Sequence, residues 1–183
     1  MVIRRRAMLA AAAGTLTATA LPRKPHAESL PPVARGMKLV DPPFPAPDTP
    51  FQGRDGSTHR LADFKGHGMV VNLWATWCAP CGAEMPSLQA LSKALAPDDI
   101  AVLPLSSDRG GAGVVADWYH AHGITSLPIL LDPKGAMTHA LNVRGIPTTV
   151  VIDTAGMVVA RLEGSADWDA PDAQAVVRKL VAG

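Results

Sequence analysis

The chain has 183 residues, with 17 basic and 16 acidic side chains, and its net charge of +1 gives it no basic surplus with which to hold nucleic acid. Aromatic residues make up only 4 %, so the stacking platforms that single-stranded nucleic acid needs are scarce as well. The length is enough for a core of its own, and two cysteines are therefore not needed as structural staples.

In chain order, Arg4, Arg5 and Arg6 open onto an uncharged stretch from Ala7 to Leu21. A basic start, an apolar core of this length and small residues at Ala18-Thr19-Ala20 or Pro25-His26-Ala27 form an export signal, cleaved or kept as an N-terminal anchor. A membrane span wants about 20 apolar residues, which leaves this segment short for a permanent anchor. The Arg5-Arg6 pair also resembles a twin-arginine signal. Residues 1–27 are thus read as signal or anchor, and export as the destination.

Nine of the 17 prolines lie between Pro22 and Pro50, among few large apolar residues. Such a stretch buries too little to offset its ordering entropy, so residues 28–49 read as an extended linker. Residues 50–183 form one domain of ordinary size.

Within that domain Phe51 to Leu61 carries Asp55-Gly56, a turn dipeptide that predicts a β-hairpin. Met69 to Trp74 (MVVNLW) is an apolar run suited to a strand buried on both faces. From Cys78 onward Met85, Leu88, Leu91 and Leu95 recur at helical steps, with Pro86 inside the pattern. Ile100 to Leu105 predicts a strand, Val114 to His122 a helix stopped by Gly123, and Ile129 to Leu131 a short strand. Thr148 to Ile152 and Val158 to Leu162 flank a turn at Asp153-Thr154-Ala155-Gly156, and Ala170 to Val181 is a closing helix. This order implies an α/β fold, a central mixed sheet with helices on both faces.

Both cysteines sit in WATWCAPCGAEMP, where Cys78 follows a buried strand at the start of a helix. Unpaired N–H groups and the helix dipole favour a thiolate there, and in a Cys-X-X-Cys setting the first thiol falls below its free value. Such a thiolate can attack a partner disulfide, and Cys81, one turn on, can release the partner. Ala79-Pro80 between them suits a first helical turn, where the missing N–H of proline costs nothing. A structural zinc site needs a second ligand pair at comparable spacing. His120 and His122 flank one residue, and His59, His67 and His139 are isolated, so no metal is expected. Closing so short a loop adds little stability, which weakens a purely structural disulfide.

These residues resemble the TlpA/ResA type of thioredoxin-like proteins, exported bacterial thiol–disulfide oxidoreductases. DGSTHRLADFKG resembles that family's opening hairpin, VVNLWATWCAPCGAEMP its active-site segment, and LPILLDPKGAMTHALNVRGIPTTVVIDTAGMVVARLEG its later half. The resemblance implies a thioredoxin-like fold with an N-terminal β-hairpin extension, no cofactor, and a redox-active Cys78–Cys81 disulfide. It implies that Pro147 is the fold's cis-proline, with Ile146 offering its backbone to a partner peptide beside Cys78. Trp77 and Pro80 border the same partner-binding surface. Glu84 matches an active-site glutamate that can exchange a proton with Cys81; the plainer alternative is a first-turn glutamate favoured by the helix dipole. Asn72 stands where ordinary thioredoxins bury an aspartate, and an amide cannot titrate. Trp74 reads as strand core.

The activity so implied is disulfide exchange in the periplasm. In this family it commonly reduces partner proteins with a disulfide or dithiol, as in cytochrome c or copper-site maturation, with electrons from a membrane thiol transporter. A disulfide oxidant or isomerase uses the same chemistry in reverse. A Cu(I) metallochaperone would use the same two thiols, although no third ligand stands near the motif unless the fold brings His139 there. A peroxidase-like relative of the same general fold needs its cysteine in a different local motif.

Overall fold

A computed structural model describes residues 33–183; the expected signal or anchor segment, 1–27, lies outside the described residues. A helical turn α1 (Val33–Gly36) leads into strand β1 (Met37–Pro45), followed by β2 (Phe51–Gly53), β3 (Thr58–His59) and a 3-10 turn at Leu61–Phe64. Next come β4 (Gly68–Trp74), helix α2 (Ala79–Leu95), β5 (Ile100–Ser106), α3 (Gly111–His122) and β6 (Leu130–Leu131). The chain continues through α4 (Ala136–Ala140), β7 (Thr148–Ile152), β8 (Met157–Glu163) and α5 (Pro171–Ala182). Every strand and long helix expected after residue 50 is present, with ends displaced by no more than three residues.

The strands form one sheet in the order β1-β8-β7-β4-β5-β6-β2-β3. β4, β5 and β6 run parallel, and the remaining pairs are antiparallel. This is the mixed sheet of a thioredoxin-like fold, with the β2–β3 hairpin at one edge.

Alternation along β4 sends its side chains to two cores. Val70 and Trp74 join the core under α2, α3 and α5, with Met85, Leu88, Val115, Trp168 and Val177. Met69, Val71 and Leu73 join the opposite core, roofed by Leu61, Met137 and Leu141. The helices on the two faces are therefore unequal: three long ones on the first, the short α4 and a 3-10 turn on the second. Asn72 has the parity of Val70 and Trp74, so its amide faces α2, and its ladder partner on β7 is Thr149. Gly68 opens β4 where α5 ends, and a Cβ there would lie 2.2 Å from Cγ1 of Val181.

One expectation is corrected. Residues 28–49 are not a spacer throughout, because Met37–Pro45 pairs with β8 as an edge strand and Val33 is buried in the core. The ladder runs over Met37–Leu39, lapses, and resumes at Phe44 and Pro45. Prolines mislead here because an edge strand can spare the N–H groups that face away from its neighbour. An outer strand also needs few apolar residues: Met37, Val40 and Phe44 are half-buried, whereas Lys38, Leu39 and Asp41 are exposed.

Candidate active site

The end of β4 and the start of α2 bring the two cysteines together. Cys78 has extended backbone geometry (φ −89°, ψ 100°) and is the N-cap of α2, with Pro80 in the first turn, as the residue's fixed φ allows. The two sulfurs are bonded at 2.04 Å, with Cα atoms 5.2 Å apart. The backbone N–H of Cys81 donates to Cys78 Sγ at 3.3 Å, and Gly82 N–H donates to the Cys78 carbonyl at 3.0 Å. In the reduced state the same N–H would face a thiolate, and an N–H donor together with the helix dipole stabilises that anion.

Accessibility distinguishes the two sulfur residues: Cys78 is 7 % exposed and Cys81 is fully buried. Trp77, immediately before, is 70 % exposed, and Ala79 and Pro80 are exposed beside it. On the other side the Ile146 carbonyl oxygen lies 3.8 Å from Cys78 Sγ. A disulfide sulfur has no proton to donate, so this is a contact rather than a hydrogen bond. Ile146–Pro147 is cis, and Pro147 is buried at the entry to β7. Cys78, Cys81, Trp77, Pro80, Ile146 and Pro147 therefore share one end of the sheet.

Glu84 is different. It is fully buried, and no hydrogen bond joins it to either sulfur among the described residues. Its Oε1 accepts from Asn72 Nδ2 at 2.8 Å, while Oε2 accepts from Ala166 N at 3.1 Å and Trp168 Nε1 at 3.0 Å. Burial raises its pKa to about 7, opposed by those three donors, of which Asn72 is the strongest. Its ionisation is thus poised near neutrality inside the core. Ser87, one turn further along α2, accepts from Trp168 N at 3.1 Å, so three hydrogen bonds tie the loop before α5 to the redox helix.

Sequence reasoning missed Trp168, Ala166 and Asp108. Asp108 accepts from Thr76 N at 2.8 Å, Thr76 Oγ1 at 2.7 Å and Ser106 Oγ at 2.6 Å, and so ties the loop after β5 to the segment leading into Cys78. The alternation Ser106-x-Asp108 after an apolar strand was a visible turn signal. Ala166 and Trp168 carried none, since their partner lies more than eighty positions away.

Known proteins share the sequence pattern and the fold. The model of the AhpC/TSA family matches residues 43–161. The thiol-disulfide oxidoreductase ResA of Geobacillus kaustophilus is 32 % identical over 120 residues, 66 % of this chain and 68 % of that protein. Among solved structures, the exposed lipoprotein thioredoxin Etrx1 of Streptococcus pneumoniae superposes with a TM-score of 0.60 at 31 % identity, covering 73 % of this chain and 98 % of that one. A thioredoxin-family thiol:disulfide interchange protein of Chlorobium tepidum superposes with a TM-score of 0.63 at 27 % identity, covering 76 % and 97 %. The chain belongs to the AhpC/TSA family and is, like these relatives, a thiol–disulfide oxidoreductase of thioredoxin fold.

Proposed function

We propose that the chain reduces disulfides of substrate proteins outside the cytoplasm, with Cys78 as the attacking and Cys81 as the resolving residue. The observation that carries this assignment is the asymmetry of the pair, 7 % exposed against fully buried. Once the protein is reduced, the Cys78 thiolate attacks one sulfur of the partner disulfide, and the partner's other sulfur leaves as a thiolate. The Cys81 thiolate then attacks Cys78 Sγ, closes the internal disulfide and releases the second partner thiolate. The partner gains two electrons and two protons; the Cys78–Cys81 pair loses them.

Ile146 offers backbone groups to an extended partner chain, as in strand addition, with Trp77, Pro80 and Pro147 bordering it. To Glu84, three residues past Cys81 on α2 and with its pKa near 7, we assign the proton that Cys81 must lose before it attacks; in the disulfide state its oxygens are held by Asn72, Ala166 and Trp168 instead. Residues 1–27 direct export, whether cleaved or kept as an anchor, and a membrane thiol transporter resupplies the electrons. Cytochrome c and copper-site cysteines are the substrates this reading favours. Support for an extracytoplasmic setting comes from the basic and apolar start of the chain and from the Streptococcus relative, an exposed lipoprotein.

The deciding experiment equilibrates the protein with defined thiol–disulfide buffers and measures its reduction potential. A value near about −270 mV is expected for a reductant. A value near about −120 mV would make the pair a disulfide donor and overturn the direction proposed here.

A further inference from the structure

Beside Trp77 an open groove of about 960 Å³ runs across the ends of three parallel strands, lined among others by Asp108, Arg109, Gly110 and Lys134. Trp77 follows β4, Arg109 follows β5 and Lys134 follows β6, so the groove leads away from Cys78 on the side opposite Ile146. Arg109 and Lys134 are both exposed, and neither forms an ion pair among the described residues. The groove's one carboxylate, Asp108, offsets one of the two charges but pairs with neither cation: it is 4 % exposed and turned to Thr76 and Ser106, which leaves the groove net positive and both cations open to an incoming carboxylate. Gly110 is the N-cap of α3 with no capping side chain, which adds to the positive character of that wall. The chain as a whole is nearly neutral, so this pair of cations is a local feature rather than a general excess.

From these observations we propose that the groove selects substrate proteins carrying an acidic side chain within about three residues of the cysteine under attack. The reach follows from the sheet. Neighbouring strands lie about 4.8 Å apart, which sets Arg109 and Lys134 about 5 and 10 Å to the side of the position above β4. An extended chain advances about 3.3 Å per residue and covers that distance in two or three steps. A carboxylate arriving there meets two cations with the Trp77 ring alongside, while a lysine at the same place is repelled. This deepens the assignment of Cys78 as the attacking residue and rests on it.

The test uses the reduced full-length chain and two disulfide peptides that differ only by Glu or Lys two residues from the reactive cysteine. At low salt the Glu peptide should be reduced about tenfold faster, and added salt should shrink that advantage. The double variant Arg109→Glu, Lys134→Glu should reverse the preference. That ratio is taken within one protein, so partial misfolding cannot imitate it. Equal rates for the two peptides, or a preference that survives the charge reversal, would overturn the proposal. Uncharged hydroxyethyl disulfide separates this failure from a deeper one. If the wild-type chain reduces it while failing to discriminate the peptides, only the groove assignment falls. If the chain reduces none of the three, the attack by Cys78 falls, and the groove assignment with it.

Discussion

Glu84 answers two opposing demands at once. Burial in the core disfavours its charge, while Asn72, Trp168 and the Ala166 N–H all donate to it and favour the charge. The result, a pKa of about 7 against 4.5 for the free group, makes the stability of the fold depend on pH. Between those values the folded protein keeps a proton that the unfolded chain has released. The group's contribution is therefore complete below pH 4.5 and is lost as pH rises through 7. A shift of about 2.5 units corresponds to a loss on the order of 3 kcal/mol. Glu84→Gln should remove this dependence, so its stability relative to wild type should climb by about that amount between pH 4 and pH 8 in denaturant titrations. A parallel pH profile for the two proteins would show that the carboxyl has the same pKa in the folded and unfolded states, and that burial does not raise it. Glu84 itself was legible three residues beyond the second cysteine. The indole that grips it was not, because a hydrogen bond spanning 84 positions leaves no local pattern. Asn72 was visible as a residue that cannot titrate, yet only register explains its task. It faces Thr149 across the ladder, donates to it at 2.9 Å, and holds Glu84 with the other bond.

At the scale of elements, what the pattern of residues made plain was burial. MVVNLW reads as a strand covered on both sides, and its residues do divide between two cores. Two prolines lie inside elements that the pattern of residues predicts all the same. Pro86 lies inside α2, which runs unbroken from Ala79 to Leu95. Pro104 lies inside β5 next to β6, but pairing with β6 starts one residue later, at Leu105, so that neighbour asks for no N–H from it. The five-residue α4 was not foreseen, since so short a helix is held by its surroundings: Asp132 accepts from the N–H groups of Met137 and Thr138. Close approach between elements gives a sharp prediction. Gly68→Ala would drive a methyl group into Val181, on the helix that closes this face, where there is no room for it. A loss of about 1–3 kcal/mol in unfolding free energy is expected, and relief should follow from the second change Val181→Ala. Absence of any loss would mean that the end of α5 is free to move off the sheet. A milder clash awaits Gly82→Ala, whose Cβ would stand 2.9 Å from the Trp118 ring, itself stacked on His122 with centroids 3.8 Å apart.

For the whole molecule the unexpected element is β1. Composition made residues 28–49 look like a tether, but a sheet edge asks less of a sequence than a sheet centre does. Removing residues 1–45 should expose the outer side of β8 and uncover the pocket filled by Val33. The loss should be at least about 2 kcal/mol, the worth of one buried valine, with greater self-association on heating. A truncated protein as stable and as soluble as the full chain would return this segment to the role of a linker.

The sheet ends in β1 on one side, with Pro42, Pro43 and Pro45 and an interrupted ladder, and in the two-residue β3 on the other. Neither margin offers a long run of free N–H and C=O groups. That matters to a protein whose substrates are other proteins, because a chain still exposing its cysteines also exposes backbone ready to pair with any strand within reach. Among the described residues, the two margins therefore offer an unfolded chain little backbone to pair with. The same prolines that disguised β1 as a spacer thus let the protein handle unfolded company without being drawn into it.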